Sequence, residues 1–314
     1  MLARRVEERA LVHRRRQDAR RAPGGVASDL CWTGKRRSRL ARRPNRGEQG
    51  RRESCNRVRR GRLVSMVHPD AVEQAEMWDQ YAREYPDLYP TRDPGAAVSF
   101  LADLSAGGGV LELGAGSGRV AVPLAKSGCD VTAVEISPRL CENLAERSAG
   151  ERVEVVQDDM ATFRKGRYDL IYSVHSSLFH VTTQARQLAV LENVRAMLDD
   201  LGRFVVSCYH PVEVIGRSGE LRVLDFDSKG VSIRAVLADT ASQTVEFREF
   251  RVGCEPLEVL ALRQRYVWPA ELDMMALNAG LSLDARYESY DRSPFSHRSQ
   301  SHLSVYSISS QSTP

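Results

Sequence analysis

The stretch Val110–Val120, VLELGAGSGRV, sets Gly114, Gly116 and Gly118 at every second position directly after an apolar run. Glycines so placed let a backbone approach a ligand closely, and a phosphate, another nucleotide-like group or a bare tight turn would each use them. The neighbouring residues narrow the choice. The spacing is not GxGxxG, position 119 is arginine, and no GKS or GKT closes the loop, which counts against a dinucleotide or a triphosphate. Glu112, in the last residues of the apolar run, aims a carboxylate at the loop; that disfavours phosphate and favours a cation. Seventeen residues after Gly118 stands Glu135, ending the run DVTAVE, where an acid can accept both hydroxyls of a ribose. In QDDM, Asp159 is able to accept from an adenine amino group and Met160 to pack on the ring, with Asp158 as the alternative register.

Ribose, adenine and a positive charge without phosphate describe S-adenosylmethionine. In order along the chain, LELGAGSGR, VEIS, QDDM, YDLIYSVHSSLFH and GRFVV resemble the successive motifs of class I methyltransferases, and the terminal SVYSIS is similar to that family's antiparallel last strand. The resemblance covers roughly residues 77 to 210. It implies a Rossmann-like α/β fold with a seven-stranded sheet and helices on both faces. It also implies a cofactor site made of Glu112, Gly114, Ala115, Gly116, Gly118, Arg119, Glu135, Ile136, Asp159, Met160, Ser173 and Tyr81, with no metal. The expected reaction is methyl transfer to an amine or hydroxyl of a small-molecule acceptor: a sugar, an amino acid or a secondary metabolite.

A methyl group on sulfonium is already activated, so the protein mainly aligns a lone pair behind the carbon–sulfur bond, and a base is needed only where the acceptor has a proton to lose. Three histidines follow strand ends, where open α/β sheets bind ligands. His180, in SSLFH, is the first candidate: the segment resembles one in amino-sugar N-methyltransferases whose histidine lies at the substrate, although Phe179 replaces a smaller residue there. His175 stands where relatives have an aromatic residue near the methionine part of the cofactor, so it either packs or catalyses. His210, in CYHP, faces the acceptor or caps the next turn. Trp78, Tyr81, Tyr85 and Tyr89 are spaced along one helical face, as a core stripe or as a lid over the cofactor.

The charge distribution bears on partners. Residues 1–62 hold 21 Lys and Arg against 6 Asp and Glu, a surplus of 15, so the rest of the chain carries −11 within a total of +4. Residues 1–65 are therefore expected to be an unordered Arg-rich extension, and their composition resembles translated upstream sequence, with Val64 or Met66 as the start. An RNA methyltransferase using that arm is the alternative reading, and the acidic body counts against nucleic acid as a partner. A non-catalytic cofactor-binding protein is a further alternative, against which the intact Glu112 and Glu135 weigh. No apolar run reaches membrane-spanning length, no signal sequence is recognisable, and the six cysteines form no CxxC pair; a cytoplasmic setting is expected.

These residues must be held by alternating strands and helices. From 66 to 314 the chain reads as the methyltransferase domain: VLEL, DVTAVE, VEVVQ, YDLIYSV and GRFVVSCY as strands, with helices at Arg119–Lys126, Pro138–Arg147 and Thr183–Leu198. Between 212 and 266 the pattern changes to four antiparallel strands, LRVLDFD, VSIRAVLAD, QTVEFREFRV and LEVLALRQRYVW. This insertion is expected above the strand ends as a wall for the acceptor or as a homodimer contact. A helix from Pro269, stopped by Gly280, and two final strands close the chain.

Overall fold

The structure, a computed structural model, describes residues 59–60, 68–82, 94–105, 107–227, 230–253 and 258–309, all within one unit, Glu53–Pro314. Of the extension expected over 1–65, only Arg59–Arg60 are described, as a two-residue strand β1 running parallel to Val156–Gln157; the remainder lies outside the described residues.

The apolar runs form the centre of a parallel sheet, as strands buried on both faces must. These are β2 (Gly109–Leu113), β3 (Asp130–Glu135), β4 (Val153–Gln157), β5 (Tyr168–Ser173) and β6 (Leu198–Tyr209). The hydrogen-bonded order is β1-β4-β3-β2-β5-β6-β12-β11, in which β12 (Ser301–Ile308) pairs antiparallel with both β6 and β11 (Leu281–Tyr287). Without the two-residue β1 this is the expected seven-stranded arrangement. Strand order reverses at β2, so the glycine loop leaves the sheet at the switch point where such folds open a crevice.

Helices cover both faces. On one lie α2 (Gly95–Leu104), α3 (Ala121–Lys126) and α4 (Pro138–Arg147), burying Phe100, Leu101, Leu124 and Leu144 with Val110, Ala133 and Leu170. On the other, α5 (Gln184–Met197) and α7 (Pro269–Asn278) bury Val190, Leu191, Leu272 and Ala276 against Leu111, Val134, Ile171 and Phe204. α3 begins two residues later than expected, because Gly118 turns the chain at φ +79°. α4 starts as its sequence dictates: the Ser137 hydroxyl accepts from the Leu140 N–H at 3.1 Å and Pro138 opens the first turn.

The insertion folds as its alternation implies, into a separate four-stranded antiparallel sheet ordered β10-β9-β8-β7. Its strands are β7 (Leu221–Asp227), β8 (Gly230–Asp239), β9 (Thr244–Val252) and β10 (Glu258–Arg265). A four-residue helix, α6 (Val212–Ile215), precedes it, a turn started by Pro211 that the periodicity did not reveal. Helix α1 (Pro69–Tyr81) ends at Tyr81, and Tyr85 and Tyr89 lie outside the described residues.

Candidate active site

A cavity of about 620 Å³ runs from the glycine loop, along the ends of β3 to β6, to the inner face of the β7–β10 sheet. Its closed end is built by the loop itself. Gly114 sits at φ +78°, and a Cβ there would stand 2.9 Å from Met160 Cε and from Ser177 Cβ; only glycine allows the approach. Glu135 ties the loop to the neighbouring strand: its Oε2 accepts from the Gly116 N–H at 2.8 Å, and its Oε1 from the N–H groups of Ile136 at 2.9 Å and Ser137 at 3.0 Å. Below the loop, Glu112 is buried and accepts the Tyr172 hydroxyl at 3.0 Å. Burial pushes its carboxyl up to about 8, against the opposing pull of Tyr172 and of the Arg119 charge. A buried carboxyl that lines the cavity and is protonated near neutrality is suited to a cationic ligand, whose charge would restore the carboxylate.

Asp158, Asp159 and Met160 line the cavity after β4. Asp159 is already engaged: it pairs with Arg186 of α5 and its Oδ1 accepts from the Ala161 N–H at 2.9 Å. Arg186 also pairs with Asp70 of α1, which takes the Thr182 hydroxyl as well. At the other end of α1, Asp79 accepts from the Ser137 hydroxyl and from the Arg139 N–H at 3.1 Å, and Gln80 donates to the Val259 carbonyl at 3.3 Å. The helix thus lies across the cleft with anchors at both ends, and Ala71, Gln74 and Trp78 face the cavity.

After β5 the backbone enters the left-handed region at two successive non-glycine residues, His175 (φ 56°) and Ser176 (φ 66°). This conformation is unfavourable for side chains with a Cβ and persists where the surroundings impose it. Here β6 does so: the Ser207 hydroxyl accepts from the His175 N–H at 3.0 Å, the Ser207 carbonyl from the Ser176 N–H at 2.8 Å, and the Ser176 hydroxyl from the Tyr209 N–H at 3.1 Å. His175 emerges exposed at the cavity wall. One short 3₁₀ turn later, His180 also lines the cavity, with Trp78 edge-on at 4.8 Å between centroids. A chain of hydrogen bonds fixes it. Tyr209 Oη donates to Gln264 Oε1 at 2.8 Å, and Gln264 Nε2 meets His180 Nε2 at 2.8 Å. The Gln264 amide donates, so Nε2 accepts and the ring proton sits on Nδ1, which is buried. Burial pushes the imidazole down to about 3.

The structure therefore brings together Glu112, Gly114, Ala115, Gly116, Arg119, Glu135, Ile136, Asp159, Met160, His175 and His180. Four expected members lie elsewhere. Gly118 stands under α4, where a Cβ would meet Leu144 Cδ1 at 2.2 Å, and so serves helix packing. Ser173 is fully buried in the sheet. Tyr81 turns beneath the second sheet, among Leu260 and Leu262, leaving Trp78 to face the cleft. His210 continues the ladder through its N–H to the Gln300 carbonyl at 2.7 Å, which sets its ring against Trp268 (5.5 Å) and Phe295 (6.1 Å), away from the cavity lining. The sequence reading missed Arg186, Tyr209 and Gln264, none of which sits in a local motif. Among the described residues no cluster of His, Cys, Asp or Glu converges as a metal site, and no helix is long and apolar enough to cross a membrane.

The fold has counterparts among known proteins. Residues 110–202 match a family model described as a methyltransferase domain. The CcbJ methyltransferase from Streptomyces caelestis superposes with a TM-score of 0.71 at 31% identity, over 76% of this chain and 99% of that one. The cypemycin N-terminal methyltransferase of a Streptomyces species is 27% identical over 239 residues, 73% of this chain and 96% of the relative. At 15% identity, the fold is shared with the SAM-bound CalS10, an amino pentose methyltransferase from Micromonospora echinaspora, with a TM-score of 0.52 over 79% of this chain and 99% of that one.

Proposed function

The chain belongs to the class I S-adenosylmethionine-dependent methyltransferases, and from that premise we propose that its acceptor is an amine on a small molecule or on a peptide-like natural product. The observation that carries this is the state of His180. A hydroxyl acceptor needs a base at the reacting oxygen, whereas a neutral amine needs only alignment. His180 offers no such base: Nε2 is taken by Gln264, Nδ1 is buried, and its basicity is depressed to about 3. Its part is to form, with Trp78, a wall of the acceptor pocket, its ring held in place by the Tyr209–Gln264 chain. The relative that bears an N-terminal methyltransferase name supports the same reading.

When bound, S-adenosylmethionine supplies an electrophilic methyl group on a positively charged sulfur. Glu112 would hold the ammonium of its methionyl part and Arg119 the carboxylate. Glu135 would take the ribose hydroxyls with the acceptor capacity left beside its three backbone donors. Asp159 or Asp158 would receive the adenine amino group, with Met160 against the ring. Trp78 and the rest of α1 exclude water from above. With the cofactor bound, these residues would align the amine nitrogen's lone pair behind the methyl–sulfur bond, whose electron pair would pass to sulfur, and solvent at the exposed wall beside His175 would take the proton of the methylated amine. Incubation with deuteromethyl-labelled cofactor and a panel of paired amine and hydroxyl acceptors, followed by mass spectrometry, tests this: label on nitrogen supports it, and label on oxygen alone overturns it. A homodimer through the insertion would cover the outer face of the β7–β10 sheet, where Val223, Phe226 and Leu237 are exposed; sedimentation across a range of concentrations tests that contact.

A further inference from the structure

The inner face of the β7–β10 sheet is ordered in rows that the ladder registers define. The row nearest His180 holds Gln264, opposite Val245, opposite Ala238. The next holds Leu262, Phe247 and Val236, and all three side chains line the cavity. Beyond it, Leu260, Glu249, Arg234 and Arg222 lie directly across from one another, with both arginines on the cavity wall. Four residues of strand separate the first row from the third, about 13 Å.

The third row is unusual in its charges. Arginines placed opposite each other on neighbouring strands repel, yet Arg222 faces Arg234 and not an acid. Glu249, itself buried, is committed to Arg234, accepting from its Nε at 2.7 Å, and Phe247 lies under the same guanidinium at 5.7 Å. Glu213 is committed to Arg217 at 2.8 Å. Glu220 immediately precedes the strand, two residues before Arg222, but among the described residues no carboxylate makes an ion pair with Arg222. A fixed guanidinium and an exposed one, side by side at the end of an apolar strip, form a fork suited to a planar oxyanion.

We propose that this row is an oxyanion subsite of the acceptor site: the acceptor carries a carboxylate, joined to the methylated amine through an apolar span that lies on Val236, Phe247 and Leu262, and Arg222 pairs with it. The proposal rests on the N-methylation reading and adds the chemistry of the acceptor's far end. Arg234, held by Glu249, orients the site, and Arg222 supplies the free donors.

The test uses the full chain loaded with S-adenosylhomocysteine. It is titrated calorimetrically with an ω-aminoalkanoate whose amine and carboxylate stand about 13 Å apart when extended, and with the ω-aminoalkanamide of the same length. The carboxylate is expected to bind about tenfold more tightly than the amide. Arg222→Ala should bring the two affinities together while leaving adenosylhomocysteine affinity unchanged, and Arg222→Lys should restore part of the difference. Equal binding of the two probes by the wild-type chain, no binding of the carboxylate at millimolar concentration, or a preference that survives in Arg222→Ala would overturn the subsite. Failure of the N-methylation reading would look different, as a methyl group found on oxygen in the product while the carboxylate preference stands.

Discussion

The phenolic oxygen of Tyr172 donates to Glu112 Oε2 at 3.0 Å beneath the glycine loop, joining two neighbouring strands, β5 and β2, through side chains that water does not reach. With its carboxyl pushed up to about 8 from an ordinary 4.5, Glu112 holds a proton in the folded, ligand-free protein that the unfolded chain has released. The folded state binds more protons across that window, so this contribution to stability is complete below pH 4.5 and is lost as pH rises toward about 8. Buried His180 and His302, both pushed down to about 3, contribute the opposite slope up to the ordinary 6.5, so the Glu112 contribution is read as the difference between wild type and Glu112→Gln in chemical denaturation of the ligand-free protein. That difference should fall as pH rises across the window, with a slope approaching about 1.4 kcal/mol per pH unit. Glu112→Gln should also weaken adenosylhomocysteine binding.

Glu135 serves the loop and the ligand together. Glu135→Ala is expected to weaken adenosylhomocysteine binding by about 1–3 kcal/mol, the usual loss for a charge-assisted hydrogen bond. Glu135→Gln should do nearly as much harm, because an amide nitrogen donates and can accept from neither a backbone N–H nor a ribose hydroxyl. Calorimetric affinities of the two variants decide this; unchanged affinity in either would remove the residue from the ribose role.

Arg186 stands between two buried carboxylates, Asp70 and Asp159. Arg186→Ala would leave both without their cation and should destabilise the fold by about 3–5 kcal/mol, read from urea midpoints. Replacing Asp70 with Asn in the same background should recover part of that loss, since one unpaired charge disappears.

At His175 stability and activity should move in opposite directions. The residue holds φ 56°, so His175→Gly should raise the unfolding free energy by up to about 1 kcal/mol. The same variant should lower the turnover rate more than it changes adenosylhomocysteine affinity, if the imidazole meets the acceptor. A glycine variant both less stable and fully active would contradict the assignment.

Much of this arrangement is readable from residue order, for identifiable reasons. The acids at 112 and 135 announce themselves because each stands in the last two residues of an apolar run, and a strand buried on both faces delivers its final side chains to the crevice. Ser137 before Pro138 marks the start of α4 in the same local way. The four strands of the insertion follow from alternation alone, and that alternation later supplied the row register. What stays hidden depends on long-range packing. Arg186 lies 116 residues from Asp70 and Gln264 lies 84 from His180, and no spacing rule joins them. Trp78 and Tyr81 share one helical face, with rings 5.5 Å apart, yet one borders the cleft and the other sinks beneath β10. Helical period fixes a face; it does not tell where the cleft ends under it. His210 failed for a related reason, since the ladder to β12 turns its ring after the strand that was expected to present it has ended.

Helix α1 is fastened at Asp70 and again at Asp79, one anchor on the α5 side of the crevice and one on the α4 side. A spent nucleoside cannot leave through a roof pinned at both eaves without one fastening letting go. The slow event in each catalytic cycle should then be the escape of demethylated cofactor, with steady-state turnover insensitive to acceptor nucleophilicity and a pre-steady-state burst of methylated product ahead of it.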